Sequence, residues 1–178
     1  MTKVYVSSVI PAPPAEVWAV VRDFNALPNW TPFVAESRIE QHMRGDQVGC
    51  IRNFVLKDGG RIRERLLALS DYDLSCTYAI LESPMGVENY VATLSLTPVT
   101  DGNRTFAAWQ AEFDCAEERE ADLRRSIGEG VFQACQQALD LAGITPAEIG
   151  YLEVSGSGVE GEDRAEVEGL TRAYGSGG

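Results

Sequence analysis

Hydrophobic positions along the chain follow two periods. Residues 4–10 alternate and are rich in β-branched side chains, which predicts a strand. Pro11, Ala12, Pro13 and Pro14 end it, and Pro14 suits the first turn of a helix. Val17, Trp18, Val20, Val21 and Phe24 then recur at helical spacing, an amphipathic helix of about ten residues. Residues 26–33 hold Pro28 and Trp30 and read as a second, short helix that turns the chain. From there the period is two. Residues 34–41, 49–57, 61–70, 75–82, 89–99 and 105–114 predict six successive strands, with separators carrying Gly, Pro, Asp or Asn. Short separators imply antiparallel hairpins. Residues 116–142 are the long helical segment, closed by Gly143, with Leu123, Ile127, Val131, Ala134, Cys135, Ala138 and Leu139 as its apolar stripe.

The order is β-αα-β6-α. Seven antiparallel strands with two edges to protect will curl, and a long amphipathic helix fills the concave side. The expectation is an α+β, helix-grip fold: a seven-stranded curved antiparallel sheet wrapped around a C-terminal helix.

Which side chains face inward follows from the hairpin at Asp58-Gly59-Gly60. A three-residue loop over residues 58–60, with glycine in the left-handed region, predicts the pairs Leu56 with Ile62, Phe54 with Glu64 and Arg52 with Leu66. These residues then share a face with Cys50 and Ala68, while Lys57, Arg61, Arg63 and Arg65 face water. A two-residue loop would instead move Arg52 to the water side. On the first register, one arginine and one glutamate sit on an apolar face, where an unpartnered charge is costly. Two readings follow: a structural ion pair, or a polar anchor at the end of a mostly apolar cavity. Alternation adds Tyr78 and Ile80, then Tyr90, Ala92 and Leu94, then Ala107, Trp109, Ala111 and Phe113 to the same interior. Small residues (Ala92, Ala107, Ala111, Gly128) among aromatics leave room for a small molecule.

Composition narrows the partners. The 178 residues carry 27 acidic against 15 basic side chains, a formal net charge of −12, which excludes nucleic acid as the principal partner because that needs clustered cations. No apolar run approaches the ~20 residues of a membrane span. The opening residues read as a strand, so neither a signal peptide nor integral membrane contact is expected, and a cytoplasmic location is the default. Cys50, Cys76, Cys115 and Cys135 stand singly, without a CxxC pair, and His42 is the one histidine. Neither a disulfide framework nor a metal site is expected, and no cofactor is called for. No Ser-His-Asp or Cys-His arrangement is visible, so nucleophilic catalysis is not expected.

The run VGCIRNFVLKDGGRIRERLLALSD, with SPMGVENYVATLSLTPV and TFAAWQAEFD, resembles the START-like, helix-grip superfamily. It looks most like its polyketide cyclase/dehydrase and lipid-transport proteins and the related plant abscisic acid receptors. IPAPPAEVWAVVRDFNALPNWTPFV is similar to the family's N-terminal signature. The resemblance implies a cavity between the sheet and the C-terminal helix that takes a hydrophobic or amphipathic small molecule. Matching pocket positions gives Trp30, Arg52, Glu64, Tyr90, Trp109, Ile127, Val131 and Cys135, beside the inward Phe54 and Tyr78. Residues 57–60 and 83–87 fall where the receptors carry their gate and latch but lack those sequences, so the resemblance does not extend to hormone sensing. Trp30 and Trp109 replace polar residues of the receptors, which implies a more apolar ligand. For a cyclase or aromatase, Glu64 and Tyr90 (or Tyr78) are the acid–base candidates and Arg52 the group that orients a carbonyl.

The sequence divides at residue 144, leaving residues 145–178 as a tail with seven acidic residues, two arginines and eight glycines. Such a stretch is expected to be mobile, or a weakly held hairpin and helix. Residues 138–174 resemble a ketosynthase fragment around its HGTGT motif, with Ser155 where the catalytic histidine falls, so no condensing activity is expected. The tail reads either as a junction remnant of a multidomain synthase or as a docking segment for a polyketide or fatty-acid synthase.

Overall fold

The computed structural model describes residues 1–141 and 152–154, with side chains through Val131 and at Gln133 and Ala134. Strand β1 (Thr2–Ile10) leads into helices α1 (Pro14–Val21) and α2 (Leu27–Trp30). Six strands follow: β2 (Val34–Ile39), β3 (Ile51–Leu56), β4 (Arg61–Ser70), β5 (Ser75–Glu82), β6 (Glu88–Val99) and β7 (Arg104–Asp114). A 3-10 turn at Glu117–Arg119 precedes helix α3 (Glu120–Leu141), so the expected long helix starts one short turn late. The strands pair antiparallel in the order β2-β3-β4-β5-β6-β7-β1, and α3 packs on β1 and α2. This is the α+β helix-grip architecture read from the sequence. One strand is additional: β8 (Leu152–Val154) pairs antiparallel with Val6–Ser8 on the outer side of β1. The other readings of the tail fall on residues 142–151 and 155–178, outside the described residues.

Each element follows from local chemistry. Pro14 opens α1 without a side-chain cap, because its missing N–H needs no partner there. Trp18 and Val17 turn inward from α1, and the Trp18 indole donates to Asp71 Oδ1 at 2.8 Å. Arg22 donates to the same carboxylate at 2.6 Å. The two donors hold Asp71 well below the usual carboxylate range, at about 2. This fixes α1 over the turn after β4.

Two expectations about the central hairpin need correction. The turn joining β3 to β4 is one residue earlier than expected: Gly59 takes the left-handed conformation (φ +92°), and Leu56 N–H donates to Gly60 O at 2.7 Å. Asp58 Oδ1 accepts from Gly60 N–H at 2.9 Å, closing the turn from inside. The pairs are therefore Phe54 with Ile62 and Arg52 with Glu64, not Phe54 with Glu64 and Arg52 with Leu66. The displacement is even, so every side chain stays on its expected face. The second correction is Ala68. A β-bulge between Leu66 and Ala68 inserts one residue, which turns Ala68 out to solvent and brings Leu69 onto the core opposite Cys76.

The buried side chains form three clusters. One lies under α1, around Phe24, Cys50, Leu66 and Cys76; a second lies under α3, around Tyr90, Trp109, Phe113 and Ile127. The third, around Leu27, Val34, Phe54 and Ile62, lies beside α2. Among the described residues, no helix is long and apolar enough to cross a membrane.

Gly59 carries the turn, and a Cβ there would meet no atom within 4 Å, so only backbone strain opposes a side chain. Gly59→Ala is expected to lower unfolding free energy by about 1 kcal/mol in urea. An unchanged midpoint would mean that Gly59 does not set the register.

Candidate functional site

Strand alternation aims Arg52 and Phe54 of β3, Glu64 of β4, Tyr78 of β5 and Trp109 of β7 into the concave side. The register then places Arg52 directly across from Glu64. Their side chains are each 6% exposed. Arg52 Nε donates to Glu64 Oε2 at 2.5 Å, and Nη2 lies 2.5 Å from the same oxygen. Nη1 donates to the carbonyl of Phe24 at 2.7 Å. The guanidinium carbon lies 3.9 Å from the Phe24 ring centre, 5.0 Å from Tyr78 and 5.6 Å from Phe54. Aromatic faces are attractive to a cation at these distances. Arg52 is thus an ion pair, a carbonyl contact and a cation–π centre at once.

Burial pushes the Glu64 carboxyl above its usual range, and Arg52 opposes that shift. Tyr78 and Tyr90 are raised mainly by burial, so both phenols are neutral near pH 7 and act as hydrogen-bond groups, not bases. Burial also lifts the Cys76 thiol to about 11, which removes it as a thiolate nucleophile. Trp109 Nε1 donates to Tyr78 Oη at 3.1 Å. Tyr90 stacks on Phe113 with ring centres 5.5 Å apart.

The remaining candidates lie along the grip. Ile127 is buried against Tyr90, Trp109 and Phe113, and Val131 packs half-buried on the same cluster. Trp30, at the end of α2, packs on the cluster of Phe54 and Ile62. Cys135 lies on α3 where side chains are outside the described residues. Residues 57–60 and 83–87 approach one another: a Cβ on Gly60 would lie 3.5 Å from Pro84 Cγ. Met85, in the second loop, packs against the clusters under α3 and beside α2. Arg52, Glu64, Tyr78 and Trp109 therefore come together, with Phe54 at their side. Tyr90 and Ile127 belong to the cluster under α3, and Trp30 to the one beside α2.

Two participants were not marked as site residues from the sequence. Phe24 supplies both a ring and a carbonyl to Arg52, but its helical spacing reads only as core, and a carbonyl leaves no trace in a sequence. Met85 sits in a Pro-Met-Gly separator that reads as a turn, at the place of the receptors' latch but without its sequence. Among the described residues no group of three His, Cys, Asp or Glu side chains is placed to hold a metal ion.

Residues 1–141 match the family described as polyketide cyclase/dehydrase and lipid transport. Residues 109–178 match the β-ketoacyl synthase C-terminal domain, so the second half of β7 and α3 carry both similarities. No curated protein matches the chain. Among solved structures, a protein of Thermobifida fusca is 30% identical with a TM-score of 0.69, covering 78% of this chain and 91% of its own. The protein XoxI of Bacillus cereus is 28% identical with a TM-score of 0.67, covering 80% and 99%. An uncharacterised protein of Bacillus thuringiensis is 27% identical with a TM-score of 0.67, covering 78% and 98%.

Removing one partner of a buried ion pair costs about 3–5 kcal/mol because the other charge is left unpaired. Glu64→Leu is expected to destabilise by that amount, and Arg52→Met with Glu64→Leu by clearly less than the two single changes summed. Urea unfolding in a double-mutant cycle reads the difference. Additivity within about 0.5 kcal/mol would mean that the pair is not coupled.

Proposed function

The chain belongs to the polyketide cyclase/dehydrase and lipid transport family, and on that premise we propose that it binds, and carries, a hydrophobic or amphipathic small molecule, lipid or polyketide-like. The ligand lies between the curved sheet and α3. One observation carries the reading: a buried Arg52–Glu64 pair lies on the inward face of the sheet among the rings of Phe24, Phe54 and Tyr78, a single polar locus in otherwise apolar surroundings. Trp30, Phe54, Tyr78, Tyr90 and Trp109 supply aromatic walls, and Ile127 and Val131 line the helix side, on the helix whose sequence also carries Cys135. The Arg52–Glu64 pair is the polar locus. Aromatic walls with few polar groups are the usual make-up of small-molecule sites. We take residues 1–144 as the binding unit and 145–178 as a separate tail.

A second reading is a polyketide cyclase or aromatase, favoured by the raised carboxyl of Glu64, which suits a general base. Arg52 would orient a carbonyl, with Glu64 or Tyr90 as the acid–base group. Against it, Glu64 Oε2 is engaged by two guanidinium nitrogens, and burial pushes the Tyr90 phenol up, away from proton transfer at neutral pH. A third reading, a docking module of a polyketide or fatty-acid synthase, draws on the ketosynthase similarity of residues 109–178.

Titration with the uncharged fluorescent probe N-phenyl-1-naphthylamine tests the binding reading. Saturable one-site binding is expected, weakened about ten-fold by Trp109→Ala, equal to ~1.4 kcal/mol. Non-saturable signal, identical in wild type and variant, would overturn it.

A further inference from the structure

The polar atoms of the interior are unequally satisfied, and the imbalance is chemically specific. Both charges of the centre are already matched. Glu64 takes two guanidinium nitrogens through Oε2, the Phe24 carbonyl takes a third, and the rings of Phe24, Tyr78 and Phe54 lie around the guanidinium carbon. Among the described residues, a ligand carboxylate entering at this centre would find no cation that is not already paired, and a buried unpaired charge is strongly disfavoured. The donors stand differently. Trp30 Nε1 is buried, and among the described residues no acceptor lies in reach of it. An indole N–H only donates, so what it lacks is an acceptor. The Tyr78 oxygen already accepts from Trp109 Nε1, which leaves the phenolic proton to donate. Burial raises the Tyr78 phenol, so that proton is retained at neutral pH. Phe54 belongs to the cluster on which Trp30 packs, and its ring lies 5.6 Å from the Arg52 guanidinium carbon, so it borders both places.

We infer that the grip selects an uncharged ligand whose polar atoms are hydrogen-bond acceptors, such as a ketone or ester oxygen received by Trp30 Nε1, over a ligand with a free carboxylate. This rests on the binding reading above and narrows it from any amphipathic molecule to a neutral, carbonyl-bearing one. The Trp30 donor fixes the orientation of the carbonyl, and the aromatic walls accept the chain. A buried donor left unpartnered disfavours a ligand without an acceptor, so discrimination comes from rejection as much as attraction.

The test compares three probes of equal chain length on the full chain: 2-nonanone, nonanoate and nonane. Each competes with bound N-phenyl-1-naphthylamine, an uncharged dye, at about pH 8, where the carboxylate is fully ionised. The ketone is expected to bind about ten-fold or more tighter than nonanoate, a difference of ~1.4 kcal/mol. In Trp30→Phe, which keeps the ring and removes the donor, the preference for ketone over nonane is expected to fall several-fold. Nonanoate binding as tightly as the ketone would overturn the inference and leave the binding reading standing. So would a ketone-to-nonane preference that Trp30→Phe does not change. Failure of all three probes to displace the dye would overturn the binding reading, and the inference with it.

Discussion

A guanidinium and a carboxylate placed on the inward face of a curved sheet can be tolerated only together, and the fold is organised around keeping Arg52 and Glu64 together. Their contact requires the register in which Arg52 lies straight across from Glu64. That register requires the turn to close at Leu56 and Gly60, with Gly59 in the left-handed region. It also requires the chain after α1 to pass close enough for the Phe24 carbonyl to take an Arg52 nitrogen. Strand pairing, turn chemistry and helix placement therefore converge on one polar contact. The cost of burying the pair is offset by hydrogen bonds and aromatic faces on every side observed.

The alternation of the sequence carries most of this arrangement. Residues 61–70 and 75–82 predict strands at the bounds observed for β4 and β5. The inward parity of Arg52, Phe54, Glu64, Tyr78 and Trp109 follows from the same period. What alternation cannot carry is an even displacement, because moving a strand by two residues preserves both faces. The exchange of Arg52–Leu66 for Arg52–Glu64 is of that kind. It turns on which of two adjacent glycines adopts positive φ, and the sequence offers both. The bulge beyond Leu66 is hidden for another reason. Leu67, Ala68 and Leu69 are all apolar, so an inserted residue leaves the hydrophobic pattern intact while reversing which of them faces the core. The contribution of Phe24 is out of reach of any side-chain pattern, since half of it is a backbone carbonyl.

The edges of the sheet are managed differently at its two ends. β2 is short and carries exposed Glu36, which discourages pairing with another chain. β1 is long and regular, and β8 lies along part of it, pairing Val6 with Val154 and Ser8 with Leu152. The segment that supplies β8 lies within the region similar to the β-ketoacyl synthase C-terminal domain. A stretch resembling part of a condensing enzyme thus contributes a strand to the edge of the helix-grip sheet. Family membership and tail similarity together draw the proposed ligand toward acyl and polyketide chemistry.

The central proposal is that the interior between the curved sheet and α3 receives a hydrophobic molecule. Methyl NMR on isoleucine- and methionine-labelled protein, titrated with 2-nonanone, tests it most directly. Saturable shifts are predicted at Ile80, Met85 and Ile127, which border the clusters beside α2 and under α3. Methyl resonances that remain unmoved at these positions up to the solubility limit of the probe would contradict it.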